Sequence, residues 1–545
     1  MNAVKRKRSR VACKPCRERK RKCDGGNPCI TCTEWGYDCS YETQPRRKLD
    51  KRRPSRIEPS PEAAPTQETA PPDTHGLTRR LEANSGAAFV RRIGLRVDPT
   101  KAPRMNLFGW NIGARPLSSG ARGSPLPITE ITFLDHMKLL ATTYFQKVDP
   151  CYGFLDQHAF FERLEQRWQS PLSSDRLYDS VLAGVAALGC LFSQRNITIT
   201  ELHFVESARS ILDTHVLSGA PPLALVTGWV LRVAYLRMTA SPHSTWIASS
   251  TLMHFVEAAG FHLSSSNPVL PFITHCDPEI AKRIFGVAQH LNMWTSFDLG
   301  LSRVVLQKQE PLSLPSPRPG ECMNELLSLL PISASLDPGK PIDNLDIESK
   351  LSTVLDRTHT QPPSVMAQCN LVLCMLRRLH TQNFDISHAL AERVLALLKK
   401  ALACAHSMVA DCSPWQHIAN VPFQIICVLL VMDTRPSLAM LSEAVQTLEL
   451  VASTYDTETM REACKAAHLL IMLHQQRRRD DLAIFSGILD TYSRHESGQA
   501  ETLPSLSSPS AEEYSWLGAL VADLPGLQKV DFDQFLNTDI MSHSF

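Results

Sequence analysis

From about residue 129 onward, apolar residues recur at helical spacing. Leu134, Met137, Ala141, Tyr144 and Val148 follow i, i+3, i+7, i+10, i+14, one face of a helix that Asp149-Pro150 ends. Asp156 stands where it can cap the next helix, whose apolar face is Phe160, Phe161, Leu164 and Trp168. Leu177, Val181, Val185 and Leu188 mark another, followed by Ala208, Ile211 and Leu212. Trp246 to Phe261 reads as a buried helix ending at Gly260, and Arg283 to Leu299 as a further one. Residues 306–345 carry seven prolines with Gly320 and Gly339, and read as an exposed loop or insertion. Helical periodicity resumes near 364–382, 387–409, 420–433, 437–453 and 457–479, with Leu390, Val394, Leu397 and Ala401 sharing a face. No strand-like alternation competes, so 129–490 is expected to form one all-α middle domain.

The flanks lack that pattern. Residues 86–128 form a connecting segment, and within it 86–115 mixes aromatics with turn residues and is expected to pack on the following domain. Residues 46–85 are basic at first, then rich in Pro, Glu, Ser and Thr over 54–80, and read as a disordered linker. Leu77 and Leu81 are not part of sustained heptads, so no zipper dimer is expected there. A homodimer formed through another segment and a DNA-bound monomer remain the alternatives. Residues 491–545 form an acidic-hydrophobic tail. Over 510–545 six acidic residues face one basic residue, interleaved with Trp516, Leu517, Phe532, Phe535 and Leu536. That composition belongs to activation segments that transcription coactivators capture as induced helices. The competing reading is a C-terminal helix docked on the middle domain.

The N-terminal stretch carries the chemistry. Six of the sixteen cysteines, Cys13, Cys16, Cys23, Cys29, Cys32 and Cys39, are spaced C-x2-C-x6-C-x5-C-x2-C-x6-C, two copies of one unit. A disulfide framework fits a secreted chain, but the charges at Lys5–Arg8 are not followed by an apolar leader segment. Metal binding fits the repeat. Two tetrahedral zinc ions need eight ligand positions, so six sulfurs suffice only if two are shared. So short a stretch cannot bury a core, and metal binding would drive its folding. Between Cys16 and Cys23 lie Arg17, Arg19, Lys20, Arg21 and Lys22, too dense a run for an ordinary solvated face. Lys14-Pro15-Cys16 can open a short helix with proline in its first turn.

Residues 13–39 resemble the fungal Zn2Cys6 binuclear-cluster transcription factors, on Ala-Cys-Lys-Pro-Cys-Arg-Glu-Arg-Lys-Arg-Lys-Cys-Asp and Asn-Pro-Cys-Ile-Thr-Cys. The resemblance implies two Zn2+ bridged by Cys13 and Cys29. One ion would take Cys13, Cys16, Cys23 and Cys29, the other Cys13, Cys29, Cys32 and Cys39. Pro28 matches the loop proline that stiffens the turn between the half-units. Lys20 matches the lysine that reads a CGG triplet of double-stranded DNA in the major groove, where guanine N7 and O6 accept from Lys or Arg. Arg19 is the second expected base contact. Arg17, Arg21, Lys22 and Lys14 are assigned to phosphates, which set register. Arg46, Arg47 and Lys48 are expected to grip phosphates along the linker or to serve nuclear import. The middle region is similar to the same family's homology domain, at Tyr144–Phe161, Thr245–His262 and Arg283–Arg303.

Charge separates the parts. The net charge of +2 divides into +12 over residues 1–56 and −10 over the rest. A basic head on an acidic body points to nucleic acid at one end and proteins at the other. No apolar run reaches 18 residues, so no membrane partner is expected. The ten remaining cysteines share no spacing and read as buried free thiols. A Gly-rich phosphate loop, H-E-x-x-H and G-x-S-x-G are lacking, and His254, His262 and His290 read as packed or capping histidines. An enzyme is not expected. Arg477 to Asp481 reads as a solvated helix end. The sequence therefore predicts a zinc-cluster module (1–45), a large helical domain and an acidic tail. Together these make a nuclear transcription regulator, an activator in the first reading. The alternatives are a regulator gated by a small molecule in the middle domain, or a repressor lacking activation.

Overall fold

The structure is a computed structural model. It describes residues 12–18, 23, 24, 26, 28–35, 39–40, 86–97, 102, 110–113, 115, 126–170, 176–215, 221–263, 276–307, 313–337 and 344–498. The chain divides into two compact units, Met1–Pro71 and Pro72–Phe545. Among the described residues every regular element is a helix.

The first unit holds α1 (Lys14–Glu18) and α2 (Ile30–Trp35), packed on each other. The second begins with α3 (Gly86–Val97), α4 (Ile128–Ile131), α5 (Leu134–Lys147), α6 (Asp149–Tyr152) and α7 (Gln157–Gln169). On α5, Met137, Ala141 and Tyr144 are buried, as the periodicity requires. The Asp156 side chain accepts from Ala159 N–H and caps α7, removing one orphan donor of its first turn. The buried face of α7 also includes Arg167, which pairs with Asp179 at 2.7 Å.

Next come α8 (Asp179–Ser193), α9 (Ile199–His215), α10 (Leu223–Thr239), α11 (Pro242–Ala258) and α12 (Pro278–Leu299). From Asp179 to Phe192, α8 is buried on every side, between α5, α9 and α10. Gly189 permits the close approach to α5, because a Cβ there would run into the Leu140 carbonyl oxygen. Helix α10 has no counterpart in the sequence expectations. It is apolar almost all round, so no stripe announces it.

The expected exposed loop at 306–345 is corrected. Within it, α13 (Met323–Ser328) and α14 (Leu330–Ser335) bury Met323, Leu326, Leu327 and Leu330. Pro331 lies in the first turn of α14, where proline's missing N–H costs nothing. Then follow α15 (Asn344–Asp356), also unforeseen, α16 (Pro362–Thr381), α17 (His388–Ala410), α18 (His417–Met432), α19 (Arg435–Thr454) and α20 (Glu458–Gly498). Helices α16 and α18 are core helices packed on each other. Residues 477–481 are not a helix end, since α20 runs on through them.

Within the connecting segment, α3 and the described residues 110–113 and 115 pack on this body. Phe89 and Val90 of α3 are buried in the common core, and α3 packs on α18 and α20. The Arg237 guanidinium stacks 3.7 Å from the Trp110 ring centroid. Arg115, 1% exposed, donates from Nε to Glu201 at 2.8 Å. Of the ten other cysteines, Cys151, Cys190, Cys322, Cys369, Cys374 and Cys427 are buried, and the rest are half-buried. Among the described residues no helix is long and apolar enough to cross a membrane.

Candidate metal centre and nucleic-acid interface

The two cysteine units fold alike. In each, the first cysteine immediately precedes a short helix, the second lies inside it, and the third follows in the chain beyond. Cys13 and Cys16 flank the opening of α1, and Cys29 and Cys32 that of α2. Pro28 sits in an exposed bend just before Cys29. Ile30 N–H donates to Asp24 Oδ1 at 3.0 Å, and Lys14 N–H to the Ser40 carbonyl at 2.8 Å, closing the unit's two ends. Asp24 was missed by the sequence reading. It follows the third cysteine directly, and its role is visible only once the chain brings it to α2.

The sulfurs converge. Cys13 Sγ lies 3.7 Å from Cys29 Sγ, 3.6 Å from Cys32 Sγ and 3.9 Å from Cys23 Sγ. Cys16 Sγ lies 3.7 Å from Cys29 Sγ. Zinc held by four sulfurs at about 2.3 Å gives tetrahedron edges of about 3.8 Å, which these four separations match, and Cys13, Cys16, Cys29 and Cys32 together form one group with metal-ligand spacing. Cys13, Cys16, Cys29 and Cys32 are buried, while Cys23 and Cys39 are half-buried. Backbone donors aim at sulfur, among them Cys29 N–H to Cys39 Sγ at 3.3 Å and Cys32 N–H to Cys29 Sγ at 3.4 Å.

Burial opposes ionisation of part of this set. Burial pushes the Cys13 and Cys16 thiols above their ordinary range and Cys32 up to about 12. Burial acts on Cys29 too, but the Cys32 amide and the adjacent sulfurs outweigh it and hold Cys29 low. The Cys29 amide lowers Cys39. Six crowded thiolates need a compensating positive charge, which divalent cations supply.

Of the residues expected to touch DNA, Lys14 is exposed on α1 and Arg17 belongs to that helix. Arg19, Lys20, Arg21, Lys22, Arg46, Arg47 and Lys48 lie outside the described residues, as do Trp516, Leu517, Phe532, Phe535 and Leu536.

A six-sulfur cluster and a large helical body in one chain define a zinc-cluster transcription regulator. The model of the fungal Zn(2)-Cys(6) binuclear cluster domain matches residues 11–48. That of the fungal specific transcription factor domain matches residues 141–415. Protein RDR1 of Gibberella zeae is 42% identical over 98% of both chains. Transcription factor kojR of Aspergillus oryzae is 35% identical over 98% of this chain and 95% of its own. A probable transcriptional repressor of Schizosaccharomyces pombe is 26% identical over 47% of this chain and 61% of its own. The chain belongs to the fungal Zn(2)-Cys(6) transcription factors. It is a DNA-binding regulator of transcription whose cluster domain binds two zinc ions.

Proposed function

We propose that this chain is a nuclear activator that reads CGG-type triplets through residues 13–39. The observation that supports the reading is the set of sulfur separations around Cys13 and Cys29, three of which cross between the two cysteine units. Cys13, Cys16, Cys23 and Cys29 would hold one zinc ion and Cys13, Cys29, Cys32 and Cys39 the other, with Cys13 and Cys29 common to both. The metals supply structural cross-links. The chain's own residues hold α1 and the following Arg19-Lys20 against the duplex, with Lys20 and Arg19 on guanine edges. Arg17, Arg21, Lys22, Lys14, Arg46, Arg47 and Lys48 neutralise phosphates.

Residues 1–45 then form the DNA-binding domain, 129–490 the regulatory body and 491–545 the segment that recruits coactivators. No catalytic role is assigned. The name of the Schizosaccharomyces relative keeps repression as the rival output. Binding of the zinc-loaded full chain to CGG-containing and scrambled duplexes at one salt concentration tests the DNA reading. Preference for CGG that disappears on chelation supports it, and equal affinity for both duplexes refutes it. A reporter fused to residues 491–545 separates activator from repressor.

A specific observation favours adding small-molecule control. Within the body, Arg237 Nη1, His290 Nδ1, His417 Nε2 and Asn420 Oδ1 are buried without a protein partner. Arg237 also pairs with Asp298 Oδ2, and Asn370 joins Asp298 at 3.2 Å to Asn420 at 3.1 Å. A small polar ligand would satisfy such atoms. Thermal stabilisation of the wild-type chain by a small carboxylate, absent in His417→Leu, would support this reading. An equal shift in both chains would remove it.

A further inference from the structure

Helix α20 presents apolar side chains in two stretches, 460–473 and 482–489, and only the first is covered. In its first half, Ala463, Ala467 and Leu470 are buried, and the helix packs on α3, α18 and α19. The covered side steps on by three or four residues to His474 and Arg478. These close on Asp433 Oδ1 at 3.1 and 2.5 Å and form a polar collar. Beyond the collar Ile484, Phe485 and Ile488, which are 62%, 63% and 48% exposed, lie on the side that is covered in the first half. Leu482 and Leu489, 65% and 68% exposed, widen that face on one edge. A surface helix normally buries such a stripe, and contiguous exposed apolar side chains mark a docking face.

We infer that the chain's own tail, residues 511–524, covers this face as an antiparallel helix. The stripe continues an interface that the first half of α20 already makes with the body, so the occupant extends the core. The tail follows directly: α20 ends at Gly498, and residues 499–510 include Pro504 and Pro509. Twelve residues can span about 40 Å, whereas Leu489 and Leu482 lie about 14 and 24 Å back along the axis from Gly498. The tail has its own start and stop signals. Ser510 and Glu513 have capping-box spacing, and Pro525-Gly526 follows the run. Between them Leu517, Leu520, Val521 and Leu524 recur at i, i+3, i+4, i+7. An antiparallel pairing matches these residues to Leu489 through Leu482 and brings Asp523 toward the exposed Arg477 and Arg479. So short a tether also raises the effective concentration to the millimolar range. The inference does not rest on the tail being an activation segment, which the reporter fusion reads separately.

Hydrogen exchange on the zinc-loaded full chain tests it. Amides 513–524 should exchange at least about tenfold more slowly than an unstructured chain, a factor worth about 1.4 kcal/mol. The triple variant Leu482→Asp, Phe485→Asp, Leu489→Asp changes only exposed positions. It should return those amides to unprotected rates while leaving 344–470 unchanged. The reciprocal pair Leu517→Asp, Leu520→Asp should speed exchange at 482–490. Unprotected tail amides in the wild type would overturn the inference, as would protection that survives the triple variant. An unprotected tail together with a molecular mass that the triple variant halves would assign the face to a second copy of the chain.

Discussion

Cys13 Sγ and Cys29 Sγ lie 3.7 Å apart, although sixteen residues separate them in the chain. Sixteen is also the period of the cysteine repeat, so these are the same position in each unit. The repeat thus folds onto itself with its first cysteines at the hub, and the later cysteines of each unit fall around them. A hub of this kind would let six sulfurs serve two tetrahedral ions.

The hub cysteines should be the costly ones to lose. On the proposed assignment Cys13→Ser or Cys29→Ser removes a ligand common to both ions, and zinc content measured by mass spectrometry should fall from two per chain toward none. Cys39→Ser removes a ligand from one ion and should leave about one zinc per chain. Equal losses in all three variants would contradict the bridging assignment.

The basic run should divide into reading and gripping residues. Lys20→Ala is expected to cost about 1–3 kcal/mol at a CGG site and to relax preference for the triplet. Arg47→Ala should weaken all sequences alike and reduce the log–log salt slope by about 0.9. Titrations against matched and mismatched duplexes at several salt concentrations measure both effects.

Two glycines should respond in opposite directions to alanine. A Cβ at Gly189 would press on the Leu140 backbone and lie 2.9 Å from Leu140 Cβ, with α5 and α8 packed too tightly to yield. Gly189→Ala should destabilise the body by about 1–3 kcal/mol. Gly487 lies in α20, and a Cβ there would meet no atom within 4 Å, so Gly487→Ala should stabilise that helix by up to about 1 kcal/mol. Thermal melting of Gly189→Ala and hydrogen exchange across 482–490 in Gly487→Ala check these effects.

Acid should destabilise the body partly through buried histidines. Burial, with Arg237 nearby, pulls His290 down to about 3, and His417 is also well below its ordinary value. The unfolded chain takes up these protons as pH falls through 6.5 while the folded chain does not. The stability His290 contributes is therefore present above pH 6.5 and is lost as pH drops toward 3. The expected slope is about 1.4 kcal/mol per pH unit per histidine. Asp149, pushed up to about 7 by burial, acts in the opposite direction. Comparing the wild type with His290→Gln isolates one term. Denaturant midpoints from pH 7.5 to 5 should fall less steeply in the variant, and parallel curves would contradict this account.

Much of this was legible in the sequence, for identifiable reasons. The cysteine period is strict because metal geometry tolerates little variation, and the helices with one apolar face show their period. Helix α10 was hidden because burial on nearly all sides erases periodicity. Helices α13 and α14 were hidden because the prolines before and within them read as loop, although Pro331 stands in the first turn of α14. Arg167 and Asp179 each look like surface charge on a helix, and only the fold brings them to 2.7 Å. Asp433 was equally opaque: at a positive φ of 49° it ends α18 and holds two residues of α20, some forty positions later.

Selection from random duplex DNA by the zinc-loaded full chain tests the central claim most directly. The account predicts enrichment of CGG triplets, lost on chelation and in Lys20→Ala. Paired triplets at one spacing would indicate a dimer, and a single triplet a monomer. Recovery of sequences without CGG, or no enrichment from zinc-loaded protein, would contradict it.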